Sequence, residues 1–378
     1  MSDLEYMQEA LRLAAQGCGQ VSPNPLVGSV IVKAGRVIGR GLHRYTAYRH
    51  AEVCALSEAG RDARGATLYV NLEPCCHHGR TPPCTDLVIE SGISRVVAAM
   101  QDPNPLVGGK GFTRLREAGI EVDVGLCEAE ARRLNEKFIT YITTRRPFVH
   151  MKIAMTLDGK IATRERHSRW ITGEASRLAS QQLRAEYDAI LVGVGTVLTD
   201  DPKLTLRIEQ ERHRPLLRVV LDGRLRTPLN AQLFIGAPMQ PVLIFADEES
   251  ASIAHGGAAM LRVRLQEYEA RGVEVIFLPG IKGCLSLPQV LEELGRRQVT
   301  SLIVEGGAQV NGLFLAERLI NKVTCFIAPK LVGGNTAVPA IGGSGFETLA
   351  QAIELQDLTI VRRGEDIEIT GYPKASSE

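Results

Sequence analysis

The chain alternates short apolar segments with helical patterns, and this alternation starts twice. In residues 1–146, helical patterns alternate with strand-like runs such as Ala66–Asn71, and the series ends at the charged, proline-terminated break Arg145-Arg146-Pro147. The apolar run Phe148–Ala154 then opens a second series of the same kind. Alternating strands and helices bury their apolar faces best as a sheet covered by helices. We therefore predict the α/β class and two domains, residues 1–146 and residues 147–378.

Length and charge narrow the classes of function. A chain of 378 residues exceeds what one hydrophobic core usually organises. Lys and Arg number 44 against 43 Asp and Glu, so no overall field gathers nucleic acid or an anionic membrane. No stretch approaches the roughly 18 apolar residues of a membrane span, and the acidic start lacks the cations of a secretion signal. We expect a cytoplasmic protein with no nucleic-acid or membrane partner; the oligomeric state stays open, a homo-oligomer included.

The cysteines are concentrated in the first 127 residues of the chain, which hold six of the eight. Because the chain is long and lacks a secretion signal, free thiols or metal ligands are expected rather than disulfides. The strongest pattern is His50-Ala51-Glu52, followed by Pro74-Cys75 and, at the start of a predicted helix, by Cys84. Zinc prefers thiolate and imidazole ligands, and a helix start favours the thiolate form.

Three protein ligands would leave the fourth zinc position open for water, as in a catalytic site. Glu52 is then the expected proton carrier between the metal-bound water and a leaving amine. Two alternatives remain at this point. One is a structural zinc site closed by Cys76, His77 or His78, and the other is a set of buried cysteines with no metal.

This pattern resembles the zinc-dependent cytidine deaminase superfamily, whose glutamate stays outside the metal shell. Eight residues separate Cys75 from Cys84 in place of the usual two, and in this the sequence is similar to the pyrimidine deaminases of riboflavin biosynthesis. The resemblance implies a three-layer αβα domain, with zinc on His50, Cys75 and Cys84, Cys76 left out, and Glu52 as the catalytic residue.

A short repeat lies near these residues: Pro23–Gly28 recurs as Pro103–Gly108. On its own the repeat indicates two rigid turns. The resemblance implies that Asn24, in the first copy, binds the pyrimidine of the substrate. It also makes His43 and His77 candidates for contact with the substrate or its phosphate, against the alternative of histidines with no catalytic role.

In the second half, two apolar runs end in glycines, Asp188–Thr196 and Ser301–Ala308. Glycines after a strand allow close approach of a ligand, although the first run alone is more typical of a tight turn. Together with Lys152–Ala162 and Asp200–Arg207, these runs resemble the reductase of the riboflavin pathway. That resemblance implies a dihydrofolate-reductase-like fold and NADPH as cofactor.

The same resemblance implies which residues bind the two ligands. The residues expected to contact NADPH are Ala154, Trp170, Thr196, Asp200 and Gly307. The residues expected to contact the substrate are Ser168, Arg184, Leu204, Arg207 and Glu305. Of these, Arg184 and Arg207 are suited to clamp a phosphate, because a guanidinium donates two hydrogen bonds to one anion. Lys152 and Glu305 are the candidates for proton transfer during reduction.

The combined resemblance covers nearly the whole chain and implies a bifunctional enzyme of riboflavin biosynthesis. Hydrolytic deamination of 2,5-diamino-6-ribosylamino-4(3H)-pyrimidinone 5′-phosphate would release ammonia, and NADPH would then reduce the ribosyl group to ribityl. Two other hypotheses stay open on the sequence. They are a nucleic-acid base deaminase with an accessory domain, and a zinc-stabilised binding module without catalytic activity.

Overall fold

The computed structural model describes residues 2–45, 49–77, 82–105, 107–237 and 239–374. The chain divides into two compact units, one of Met1–Arg145 with Glu211–Arg214 and the other of Arg146–Gln210 with Pro215–Glu378. Both units combine strands and helices, which confirms the predicted α/β class. No helix in the described part of the chain is both long and apolar enough to cross a membrane.

The first unit is built on a sheet with the strand order β2-β1-β3-β4-β5. Its strands are β1 (Gly28–Lys33), β2 (Arg36–Leu42), β3 (Thr67–Val70), β4 (Arg95–Ala98) and β5 (Glu121–Val124). Its helices are α1 (Asp3–Ala15), α2 (Ala51–Ala59), α3 (Cys84–Glu90), α4 (Lys110–Glu117), α5 (Glu128–Leu134) and α6 (Glu136–Thr144). β1 and β2 form an antiparallel hairpin, whereas β3, β4 and β5 are parallel because a helix connects each to the next.

Both faces of this sheet are covered, because successive strand residues point to opposite sides. Val30 packs with Met7 and Tyr69 in the core under α1. The next residue, Ile31, belongs to the core on the other face, with Leu56 of α2. The result is the three-layer αβα arrangement expected from the sequence.

Helix α2 lies unusually close to β2, and two glycines make this approach possible. A Cβ added at Gly41 would lie 1.9 Å from the carbonyl oxygen of Ala51, and one at Gly39 would lie 2.2 Å from that of Ala55. Any side chain would therefore push the helix away from the strand. This close packing fixes the start of α2, where the His-Ala-Glu motif lies.

The second unit is built on a longer sheet with the strand order β11-β10-β9-β8-β14-β6-β15-β18-β17. Its strands are β6 (Phe148–Thr156), β8 (Ala189–Gly193), β9 (Leu217–Leu221), β10 (Val242–Ala246), β11 (Val273–Phe277), β14 (Ser301–Val304), β15 (Lys322–Ala328), β17 (Leu355–Arg363) and β18 (Asp366–Pro373). Short pairs outside the sheet are formed by β7 (Lys160–Ala162) with β16 (Val338–Pro339) and by β12 (Gly280–Ile281) with β13 (Cys284–Leu285). Its helices are α7 (Glu174–Ala185), α8 (Val194–Asp200), α9 (Glu248–Ala254), α10 (Ala258–Glu269), α11 (Leu287–Arg296) and α12 (Ala308–Ala316).

The strands from β11 to β15 in this order are parallel, and β18 and β17 add an antiparallel edge. The carboxyl ends of parallel strands meet at one edge of a sheet, where ligands of open α/β sheets usually bind. The runs Asp188–Thr196 and Ser301–Ala308 contain β8 and β14, which are neighbours in the sheet. Their glycines therefore meet at the same edge.

Three elements differ from the sequence prediction. The sequence pattern of residues 128–141 predicts one helix, but the helix is split at Asn135, whose buried side chain bonds both the amide and the carbonyl of Leu26. The weak pattern of residues 247–266 predicts loops or weak elements, but this segment contains α9 and most of α10. Apolar side chains such as Ile253 and Met260 are exposed there, and this hides the helical periodicity. Helix α8 was not predicted either, because Gly193 before it and Gly195 within it indicate a turn.

Candidate active sites

The predicted zinc ligands meet in the first unit. His50 is the N-cap residue of α2, Cys84 opens α3, and Cys75 follows β3. The Nδ1 atom of His50 lies 3.1 Å from Cys84 Sγ and 3.4 Å from Cys75 Sγ. One ligand atom from each residue lies within 4.8 Å of the others, and no second group of this kind occurs among the described residues.

The electrostatics of this cluster suit a metal that binds thiolate. Hydrogen bonds from the Cys84 thiol and from His50 lower the pKa of Cys75, and the amide of Cys84 adds a bond at 3.4 Å. The same pairing raises the pKa of Cys84, so the two thiols share one proton. The hydrogen bond with Cys75 raises the pKa of His50. Two sulfurs, one of them readily ionised, and one imidazole fit zinc as a donor set.

Glu52 lies beside the cluster without belonging to it. It is in the first turn of α2 and only 4% exposed. Burial, followed by the negative charge of Cys75, raises the pKa of Glu52 to about 7. A carboxyl group with such a pKa can both accept and release a proton near neutral pH, which is what proton transfer to a leaving group requires.

The first copy of the hexapeptide repeat reaches this site through His43. The Nδ1 atom of His43 lies 2.9 Å from the carbonyl oxygen of Arg49, and its Nε2 lies 3.0 Å from Asn24 Nδ2. A carbonyl only accepts, so Nδ1 carries the proton and Nε2 accepts from the Asn24 amide. The His43 ring also meets the His50 ring edge-on, with 5.5 Å between centroids. The hydrogen bond to His43 thus orients the Asn24 side chain through Nδ2 and does not involve its Oδ1.

The other residues considered as zinc ligands are Cys76, His77 and His78. Cys76 is partly buried and lines a separate hollow with Gly108, Gly109 and Lys110. His77 is exposed, and His78 lies outside the described residues. Within the described part of the chain, neither Cys76 nor His77 joins the three-residue cluster.

Glu73 is a buried residue that sequence reasoning did not single out. It lies between β3 and Cys75 and is 3% exposed. Its Oε2 accepts hydrogen bonds from the amides of Asp102 at 3.0 Å and Gly109 at 2.8 Å. Its Oε1 accepts from the amides of Gly111 at 2.8 Å and Phe112 at 3.3 Å. One carboxylate thus caps α4 and holds the second copy of the repeat.

In the second unit, a cavity of about 1350 Å³ lies at the carboxyl ends of the strands. It is lined by all eleven residues predicted for the reductase to contact NADPH or substrate or to transfer a proton: Lys152, Ala154, Ser168, Trp170, Arg184, Thr196, Asp200, Leu204, Arg207, Glu305 and Gly307. They come from segments as far apart as β6 and α12, and the order of the parallel strands brings them together.

Glu305 forms a buried ion-pair group at this cavity. Arg184 donates to it through Nε at 2.5 Å and Nη2 at 2.9 Å, and the Nζ atom of Lys152 lies 3.3 Å from Oε2. Burial alone would raise the pKa of Glu305, but the two cations outweigh it and lower the pKa to about 2. The guanidinium of Arg184, predicted as a phosphate clamp, is therefore already engaged by a carboxylate.

Other features of the cavity fit a dinucleotide phosphate. Gly307 is the N-cap residue of α12 and has no side chain to cap the helix, so it leaves the first-turn amides accessible to an anion. Asp200 accepts a 2.8 Å hydrogen bond from Ser168. Trp170 is 60% exposed, and the guanidinium carbon of Arg177 lies 4.7 Å from the centre of its ring. An exposed aromatic ring at a cavity offers a surface for stacking.

Comparisons with known proteins agree with both sites. Residues 1–100 match the family model of the cytidine and deoxycytidylate deaminase zinc-binding region, and residues 147–369 match that of the RibD C-terminal domain. The riboflavin biosynthesis protein RibD of Actinobacillus pleuropneumoniae is 45% identical over 97% of this chain and 94% of its own. The chain belongs to the RibD family. The RibD protein of Aquifex aeolicus is 43% identical over 97% of both chains.

Solved structures show the same relationship. Acinetobacter baumannii RibD has a TM-score of 0.84 and 35% identity, with 99% of both chains covered. A diaminohydroxyphosphoribosylaminopyrimidine deaminase/5-amino-6-(5-phosphoribosylamino)uracil reductase from Thermotoga maritima has a TM-score of 0.83 and 37% identity, with 98% of this chain and 99% of that chain covered.

Membership of the RibD family confirms the predicted activities. The chain is a bifunctional enzyme of riboflavin biosynthesis, a hydrolytic deaminase and a reductase, with zinc and NADPH as cofactors. The predicted combination of a deaminase-like domain and a reductase domain is confirmed as well. A nucleic-acid base deaminase is not favoured.

Proposed function

We propose that deamination takes place in residues 1–146 and reduction in residues 147–378, on a small phosphorylated pyrimidine. The observation that carries the proposal is the cluster of His50, Cys75 and Cys84 beside the buried Glu52. The metal ligands and Glu52 belong to the first unit, and the residues that line the 1350 Å³ cavity belong to the second. Each reaction thus has a complete set of side chains within one unit.

In the deaminase, His50, Cys75 and Cys84 would hold zinc. When bound, zinc supplies a Lewis acid that lowers the pKa of water. Glu52 would take a proton from the attacking water and deliver it to the departing amine, so that water and the amino pyrimidine give a carbonyl and ammonia. Asn24, oriented by His43, would accept a hydrogen bond from the pyrimidine through Oδ1.

In the reductase, NADPH supplies the hydride for C1′ of the opened ribosyl group. Reduction also consumes a proton, and Lys152 is a cationic donor held at the cavity by Glu305. Glu305 would hold Lys152 and Arg184 in place through its ion pairs. Arg207 is exposed at the cavity and its side chain bonds no other described residue, so it is the better of the two predicted arginines for the substrate phosphate.

The test measures both reactions on one purified chain: ammonia release, and oxidation of NADPH that depends on substrate. Glu52→Gln should abolish ammonia release while zinc remains bound and the deaminated intermediate is still reduced. Glu90→Gln, an exposed glutamate on α3, is the matched control and should retain both reactions. A folded Glu52→Gln protein that loses both reactions would contradict separate sites.

A further inference from the structure

Three basic residues lie together at one part of the cavity in the second unit. Arg224 and Arg226 follow β9, and Lys282 is in the turn between β12 and β13. All three line the cavity, and all three are exposed. The residues predicted to contact NADPH come from other segments, namely β6, α8, the start of α12 and the Trp170 loop. The three basic residues therefore have no role assigned so far.

The backbone brings the three residues together. A Cβ added at Gly223 would lie 2.0 Å from the carbonyl oxygen of Gly283, so the turn packs directly against the end of β9. Lys282 and Gly283 both have left-handed φ values, 55° and 82°, as in the tight turn of a two-residue hairpin. The Nη2 atom of Arg224 donates to the carbonyl oxygen of Lys282 at 3.3 Å. Between the two arginines, Leu225 is fully buried and anchors the loop.

No carboxylate neutralises these three side chains among the described residues. Two acids beside these loops, Asp222 and Asp247, are buried and accept hydrogen bonds from Thr227 and from Ser250 of α9, respectively. Elsewhere in the cavity, the cations of Lys152 and Arg184 are balanced by Glu305, and Arg207 is the arginine assigned above to the substrate phosphate. Exposed cations without counter-charges at a ligand cavity are suited to an anionic group of the ligand.

We propose that Arg224, Arg226 and Lys282 bind the 2′-phosphate of NADPH and thereby select it over NADH. The two nucleotides differ by this one phosphate, so only an anion subsite apart from the pyrophosphate can distinguish them. Arginine is suited to the role because its planar fork donates two hydrogen bonds to one phosphate. This inference rests on the assignment of the reductase to this unit and adds the residues that set its cofactor preference.

Binding without turnover tests the inference. Isothermal titration calorimetry of the full chain compares adenosine 2′,5′-bisphosphate with 5′-AMP, which lacks the 2′-phosphate. We expect the wild type to prefer the bisphosphate and the double variant Arg224→Ala, Lys282→Ala to lose about tenfold or more of that preference, since each cation makes a charge-assisted contact. The Kd for 5′-AMP should stay within about twofold, which also shows that the variant is folded.

Two further variants sharpen the result. Arg224→Lys keeps a cation and should retain part of the preference for the bisphosphate. Arg262→Ala removes an exposed arginine of α10 that does not line the cavity and should bind both nucleotides like the wild type. A double variant that keeps the wild-type preference, or that weakens both nucleotides equally, overturns the inference.

The failure of this inference is distinguishable from failure of the proposed function. Absence of substrate-dependent NADPH oxidation in the wild type would remove the reductase assignment itself. Oxidation of NADPH together with an unchanged nucleotide preference in the double variant would remove only the subsite.

Discussion

Glu73→Gln is expected to destabilise the loop between β4 and α4 together with the start of α4. The carboxylate accepts four backbone hydrogen bonds, two on each oxygen. Glutamine keeps one oxygen and replaces the other by an NH2 group. This group is a hydrogen-bond donor, so the two backbone N–H groups that face it lose their acceptor. Hydrogen bonds to a charged group contribute about 1.5–3 kcal/mol each. Two lost bonds, partly compensated by water, correspond to about 3 kcal/mol.

Hydrogen exchange followed by mass spectrometry measures this effect where it occurs. Peptides covering Asp102 to Glu117 should exchange faster in Glu73→Gln, with a loss of local stability of about 3 kcal/mol. Peptides of the second unit should be unchanged and serve as an internal reference. Glu117→Gln, an exposed glutamate at the end of α4, should change stability by no more than about 0.5 kcal/mol. Wild-type protection in Glu73→Gln would refute the reasoning that this carboxylate holds the loop.

Two further predictions concern charge and metal. The pKa of Glu305 is about 2 in the folded state, below its ordinary value of 4.5. The ionised carboxylate therefore stabilises the fold by about 3 kcal/mol above pH 4.5. This contribution is lost as pH falls from 4.5 towards 2. The difference in unfolding free energy between wild type and Glu305→Gln should therefore shrink over that pH range, and a difference independent of pH would contradict the ion pairing. Removal of zinc by a chelator should lower the unfolding temperature of the first unit, because a metal bound only by the folded state stabilises it. Calorimetry should show the transition of the second unit unchanged, and a first unit indifferent to chelation would argue against a metal at His50, Cys75 and Cys84.

The sequence by itself determined the features that depend on neighbouring residues. The mainly apolar runs of residues 273–277 and 301–304 predict two strands, and the strands Val273–Phe277 and Ser301–Val304 have these bounds. The spacing of His50, Glu52, Cys75 and Cys84 indicated a zinc site, because His50 and Cys84 lie at the starts of recognisable helices, and the family resemblance then selected the three ligands. Helices and strands such as these depend on neighbouring residues, so residue propensity and hydrophobic periodicity are enough to predict them.

Tertiary structure decided which distant side chains meet. Arg184 and Glu305 are 121 residues apart and pair only because the order of the parallel strands brings α7 to the end of β14. The four amides on Glu73 lie 29 to 39 residues further along the chain, and their directions depend on how α4 packs on the sheet. Lys282 reaches Arg224 through the contact of two glycine backbones. Such contacts depend on the path of the chain in three dimensions, for which no local pattern carries a signal.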